Sequence, residues 1–296
     1  MAYTDTDVST GALDLAIGGA IVQFNKVAVM PQTLNMVACP QGSVTARIPV
    51  YAKLGISNVE TASAGAEGAT NSEVITTAPK DIEVLRNHID VTITDLAAYG
   101  NADALMVNAG QAIGNAVALE FDTQACALID DFATTVGTDA TGMSMSKLFA
   151  AVGNLEKNDA PRPYSCVLDP LSVWGDFGIS NELGSVAVNE SAGALNSAGS
   201  GVGEALRGAG QVSVLGGVKI LSSSAVPSSG AGTAQGGCFA KTAIGCAYID
   251  FGGGGFVQIE TQRDSKAAST DMTANGYFGF LETVDLHGVT ILNETA

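Results

Sequence analysis

The chain has 296 residues, with thirty acidic against thirteen basic ones, a formal net charge of −17. No two Lys or Arg are adjacent, so the basic stripe that grips nucleic acid is missing and sequence-specific DNA or RNA binding is excluded. Only 15% of residues are charged and mean hydropathy is +0.27, a composition that implies surface buried against other subunits.

Residues 1 to about 35 lack sustained periodicity and read as an extended arm, with Ile17 to Val29 able to pair or pack. Asp5, Asp7 and Asp14 precede the first basic residue, Lys26, which contradicts the positive start of a secretory signal. The apolar run Leu15 to Val22 is far too short for a membrane span, so a cytoplasmic product is expected. Val44 to Tyr51 alternates and is rich in β-branched residues, and Ile82 to Thr94 alternates roughly; both predict strands. Between them, Ser57 to Pro79 is short of large apolar groups and builds no core of its own. A long two-stranded hairpin, ordered by lying on a neighbouring subunit, is the economical reading.

Thr94-Asp95 opens a single turn, Leu96 to Tyr99, and Gly100 is expected to break it. A long apolar helix then runs from Asn101 to Asp131, capped by Asn101. Leu105, Ala109, Ala112, Ala116 and Leu119 define its apolar face, with Met106, Ile113, Val117 and Leu128 beside them. Asn108, Gln111, Asn115 and Asp122 form a narrow polar stripe, while Gly110 and Gly114 suggest close approach by a neighbouring backbone.

A turn-rich passage, Thr134 to Gly142, leads to a second helix, Ser144 to Asn158, with Ser144 as cap and Leu148, Val152 and Leu155 on one face. Ser165 to Leu168 predicts a buried strand running into Asp169-Pro170 and a short helix around Trp174. Residues 178 to 210 are a loosely specified connection. Val212 to Ser222 predicts a hairpin turning at Gly216-Gly217, and Ser228 to Gly237 a loop. Strands are expected at Phe239 to Ile249, Phe256 to Thr261, Gly276 to Val284 and Val289 to Leu292.

Chemical motifs are weak throughout. Cys39, Cys126, Cys166, Cys238 and Cys246 are odd in number and lack C-x-x-C spacing, so buried free thiols are expected rather than a disulfide framework or zinc site. His88 and His287 have no supporting triad or metal motif and read as solvent-facing strand residues. Ser144 to Lys147 matches S-x-x-K, but S-D-N is absent and Lys241-Thr242-Ala243 only half matches K-T-G. Gly199 to Gly203 is a weak phosphate-loop match, and Phe251 to Phe256 reads as a flexible joint. No catalytic, cofactor-binding or metal-ligating residue is assigned, and the chain is expected not to be an enzyme.

The order of elements nevertheless resembles the major capsid protein family of tailed bacteriophages, with its Hong Kong 97-like fold. Ala66-Glu67-Gly68 resembles a step in that family's extended loop, and Ile93-Thr94-Asp95-Leu96 the step before its spine helix. Leu148 to Pro170, then Leu215 to Ile220 followed by Val226-Pro227, resemble its helix–strand unit and its hairpin. Ile259-Glu260, Arg263-Asp264 and Tyr277-Phe278-Gly279 resemble its closing strands; the likeness spans about residues 40 to 293.

The resemblance implies an α+β fold with an N-terminal arm at 1–36 and a peripheral domain at 37–143 and 250–296. That peripheral domain would hold an E-loop at about 47–85 and a spine helix at about 101–131; residues 144–249 would form an axial domain. Its function would be to self-assemble into pentamers and hexamers of an icosahedral head enclosing double-stranded DNA. Inter-subunit contacts would come from Glu60, Ala66, Glu67, Gly68, Asn71 and Glu73 in the loop, and from Leu13, Ile17 and Phe24 in the arm. Partners would be further copies of itself, a portal protein, a separate scaffolding protein, decoration or cement proteins, and packaged DNA held non-specifically, with no membrane. The expected location is the virion, assembled in the host cytoplasm. Lys53 and Lys80 lie near the loop's base, so the lysine–asparagine cross-link of some relatives is not expected. Two alternatives stand beside this reading. One is an encapsulin-like nanocompartment shell, which would need a cargo-peptide groove near the N-terminus, where no helix is read. The other is a small-molecule enzyme with an α+β core.

Overall fold

The computed structural model describes residues 20, 24, 27–51, 77–179, 211–215, 218–228, 230, 232–250 and 257–295, apart from the side chains of 96–107 and 211–215. Within these, the strands are β1 (Asn35–Ala38), β2 (Thr45–Ile48), β3 (Lys80–Glu83), β4 (Leu85–Thr94), β5 (Thr135–Gly142), β6 (Tyr164–Leu168) and β7 (Gln211–Leu215). They continue with β8 (Val218–Ser222), β9 (Thr233–Ala240), β10 (Ile244–Tyr248), β11 (Val257–Asp264), β12 (Ser269–Glu282) and β13 (Gly288–Glu294). The helices are α1 (Asp95–Ala127), α2 (Met145–Lys157) and α3 (Pro170–Trp174).

The first sheet is organised by β12, whose 14 residues carry β11 on one edge and β4 on the other, with β10 continuing to β1. Alternation along β12 gives the sheet two different coverings. Phe278 and Phe280 point at α1, where Phe121 meets their rings at 5.1 and 4.8 Å. On the opposite face the β2–β3 pair packs Ala46, Ile48 and Ile82 against Ala247. The second sheet runs β5-β13-β9-β6-β8-β7. Cys166, Leu168, Cys238, Ala240, Val289 and Ile291 face the core shared with α2 and α3. Val167, Leu221 and Phe239 face the far end of α1, around Ile129 and Phe132. Thr290 ties that junction by donating its hydroxyl to the Ile129 carbonyl at 2.6 Å.

Several expectations hold. α2 starts on Ser144, whose hydroxyl accepts from the Lys147 N–H, and buries Leu148, Ala151 and Leu155. Asp169 caps α3 after the buried strand β6, and β7 pairs with β8 as an antiparallel hairpin. Gly114 is the close approach that its glycine suggested, since a Cβ there would lie 2.4 Å from the Ala20 carbonyl oxygen. All five cysteines are free, four of them buried.

Others are corrected. α1 is one helix from Asp95, without a break at Gly100 and ending at Ala127 instead of Asp131. A mid-helix glycine costs only about 1 kcal/mol, less than giving up the hydrogen bonds on both sides of it. The start is instead held by Arg263, whose guanidinium grips both oxygens of Asp95, and by the Asp95 N–H on the Ala268 carbonyl. The buried face is Ile113, Val117, Ala118 and Phe121, while Leu119 is half exposed and Ala112 is exposed. Asp122, expected in the polar stripe, is 3% exposed.

The strand read at Ile82–Thr94 divides at Val84, because β3 stays with β2 while β4 joins β12. Thr134–Gly142 contains the edge strand β5 rather than only turns, its order supplied by parallel pairing with β13. Ser228–Gly237 is a loop only in its first half; β9 then begins. The strand read at Phe239–Ile249 is two, since a turn at 241–243 carries the chain from β9 in the second sheet to β10 in the first. Sheet membership therefore cuts across the expected segment boundaries, for β5 and β13 lie in the second sheet and β10 in the first. His287 stands in a 3-10 turn, half-buried, and not on a strand. Ala20, Phe24 and Val27 are helical, where no helix was read.

Candidate assembly surface

The paired strands β2 and β3 are the described part of the segment expected to form the extended loop. β2 and β3 pair from Thr45–Glu83 to Ile48–Lys80, and an isolated bridge, Tyr51 to Thr77, extends the ladder. Arg47 closes it with a two-pronged bond to Asp81, at 2.7 and 2.8 Å. The guanidinium holds the Asp81 carboxyl below its ordinary value. Both side chains are exposed, so this pair specifies geometry more than it adds stability. Val44 and Tyr51 are exposed on the same element, at 60% and 64%. The loop residues Glu60, Ala66, Glu67, Gly68, Asn71 and Glu73, and Lys53 with them, lie outside the described residues; Lys80 is exposed at the base.

Leu13 and Ile17 of the arm also lie outside the described residues. Phe24 packs against its own chain, edge-on to Phe121 at 5.8 Å. At the next position of α1, Asp122 accepts the backbone N–H groups of Val29 (2.9 Å) and Met30 (3.0 Å). Burial pushes its carboxyl above the ordinary value, against the downward pull of those two donors. Nothing in the sequence pattern separated Asp122 from the exposed polar residues around it; only the arrival of residues 29–30 gives it partners.

Ser144, noted with Lys147 for its S-x-x-K spacing, accepts the Lys147 backbone N–H as a helix cap, and the Lys147 ammonium points elsewhere. It donates to the carbonyls of Thr141 and Leu292, both at 2.8 Å, and more distantly to Thr138. It thereby fills the bulge between β5 and β13, and burial lowers its pKa. His287 shares a 2.8 Å hydrogen bond with Thr242 and has its pKa lowered by burial, while His88 is exposed on β4. Cys166 and Cys238 oppose one another across β6 and β9, and their mutual hydrogen bond with burial keeps the Cys166 thiol protonated. Burial pushes the Cys246 thiol up to about 12. Such thiols are inert packing groups. Among the described residues no cluster of His, Cys, Asp or Glu is placed to hold a metal, and no helix is long and apolar enough to cross a membrane.

No protein-family model matches the sequence, and no curated protein does. The structure, by contrast, superposes on solved shells across most of its length. Against the capsid of Ralstonia phage GP4 the TM-score is 0.66 at 11% identity, covering 92% of each chain. Against the capsid of cyanophage P-SCSP1u it is 0.62 at 17% identity, covering 92% of this chain and 89% of that one. This is the phage-capsid fold. The resemblance to tailed-phage major capsid proteins thus holds at the level of fold, with an α+β architecture of few helices and many strands. The phage-capsid fold also matches the holo-SrpI encapsulin complex from Synechococcus elongatus, with TM-score 0.58 and 11% identity over 90% of this chain and 86% of that one.

Proposed function

We propose that this chain is a major capsid protein, a structural subunit and not an enzyme, that assembles with copies of itself into pentamers and hexamers of an icosahedral phage head. The observation that carries the reading is the superposition on phage capsid chains over about nine-tenths of both partners. On this reading the fold is Hong Kong 97-like. β2–β3 is the root of the E-loop, α1 the spine helix of the peripheral domain, and the sheet carrying α2 and α3 the core of the axial domain. The loop residues Glu60 to Glu73 and the arm residues Leu13 and Ile17 remain the proposed inter-subunit contacts. Phe24, already covered by Phe121, anchors the arm to its own subunit.

Obligate interfaces of this kind bury upwards of about 2,000 Å² each, consistent with a chain so poor in charge. Roughly sixty or more copies at −17 carry on the order of a thousand negative charges, which must be spaced and screened. An acidic lining would let double-stranded DNA move during packaging without sticking; tight DNA retention on empty shells at physiological salt would contradict this. A portal, a scaffolding protein and decoration proteins are the partners proposed for this role, with assembly in the host cytoplasm and residence in the virion.

Sedimentation velocity and electron microscopy of the purified chain test the reading. Megadalton shells or rings support it, and a compact monomer with one polar cleft would return the chain to the enzyme alternative. The encapsulin-like alternative is favoured by the SrpI superposition and by the helical residues Ala20 and Phe24 packed beside α1. Shells that close without a scaffold and retain a protein cargo would select it.

A further inference from the structure

The hairpin base does not rest on side chains alone. β10 and β12 bring Gly245 and Gly279 to the face of the first sheet opposite α1, where Ala247 pairs with Gly279. A Cβ on Gly279 would lie 2.0 Å from the carbonyl oxygen of Glu83, backbone against backbone. A carbon and a carbonyl oxygen normally stay about 3.3 Å or more apart, so the chain leaving β3 would have to lift by about 1.3 Å. A Cβ on Gly245 would lie 2.5 Å from Ile48 Cδ1 and 2.9 Å from Ile82 Cδ1, the two side chains that seat β2 and β3. Glu83 is also where the chain turns from the hairpin into β4, and the Val84 N–H closes the ladder on the Val44 carbonyl at 2.9 Å. The Arg47–Asp81 pair then keeps the two strands together as one lever.

We propose that Gly245 and Gly279 form a seat that sets the angle at which the hairpin leaves the first sheet, and that in the assembled shell this angle sets the curvature between neighbouring subunits. The second half rests on the shell reading above; the first does not. A change of direction at the seat carries the Tyr51–Thr77 bridge with it, and on the shell reading the place where a neighbour is met moves with that bridge. Gly279→Ala meets unyielding backbone and turns the hairpin most. Gly245→Ala meets the ends of side chains, so its effect is smaller and is reduced in part by Ile48→Val, which removes the nearest atom and leaves Ile82 Cδ1 at 2.9 Å and Thr283 Cγ2 at 3.0 Å.

The test uses spin labels at Thr77→Cys and Gln111→Cys, on opposite sides of the sheet, in a Cys39→Ser background, with the protein held unassembled in mild denaturant below its unfolding transition. The expected result is a shifted or broadened distance distribution in Gly279→Ala, a smaller shift in Gly245→Ala, and a shift back toward the parent distribution in Gly245→Ala/Ile48→Val. Electron microscopy of each variant should show particles of altered or mixed diameter in the same order. Should Gly279→Ala fail to fold, the Gly245 series decides alone. Unchanged distances would overturn the seat, and shifted distances with parental particle diameters would overturn its link to curvature. Absence of particles from the parent chain would overturn the shell reading, while the distances would still decide the seat.

Discussion

The two sheets differ in how far their own chain covers them. In the second, β6 and β9 are buried on both faces, by α2 and α3 on one side and by the end of α1 on the other. In the first, β4 alternates between exposed and half-buried positions, and β11 is exposed from Glu260 to Arg263. Among the described residues, the part of that sheet near Phe278 is the part enclosed between Phe121 and the hairpin base. The central strands of the second sheet are thus covered by their own chain, while its edge strand β5 is largely exposed. The first leaves β4 and β11 largely exposed, which suits the proposed role of a subunit that meets its copies there.

The comparison breaks most forcefully at Phe121, which is fully buried where the arm, α1 and the first sheet meet. Phe121→Ala should cost about 3–5 kcal/mol in denaturant unfolding. Because α1 also reaches the second sheet through Ile129, near- and far-UV circular dichroism should still report one transition. Two transitions would show that the sheets fold separately.

Asp122→Ala should cost about 1–3 kcal/mol, since it strands the Val29 and Met30 N–H groups, and should speed hydrogen exchange at those amides while leaving the second sheet protected. On the other side of the comparison, Lys147→Met removes the ammonium that joins β5 to β13 and should cost about 1 kcal/mol, the β5 carbonyls regaining water. Exchange should there rise in β5 and not around α1.

A smaller effect is pH-dependent. His287 has a folded pKa below its ordinary 6.5, so the unfolded chain binds the proton more readily. Its cost is absent above pH 6.5 and grows as pH falls through that value toward the folded pKa. His287→Gln should flatten that part of the stability profile. Asp122 runs oppositely: its raised carboxyl is penalised when ionised, and that penalty disappears as pH falls through its folded pKa toward 3.8. Least of all, Arg47→Ala on the exposed hairpin base should leave unfolding unchanged within error and show itself only in the spread of hairpin orientations.

What the amino-acid order settled by itself was local and periodic. Ser144, with Leu148 and Leu155 at helical spacing, specifies α2 from one end to its buried face, and Asp169-Pro170 specifies the start of α3. The succession of such elements was enough to indicate a phage-capsid fold. What tertiary structure alone decided lies where one pattern serves two partners. Phe239 to Ile249 reads as one alternating strand, yet its halves join different sheets, because strand membership depends on distant pairing partners. Asp122 looks like any polar residue on a helix until the backbone of Val29 and Met30 covers it. Gly245 and Gly279 look like interruptions in strands until the hairpin is seen resting on them. Short-range spacing encodes which face of an element is apolar; what comes to lie against that face is set by contacts between residues far apart in sequence.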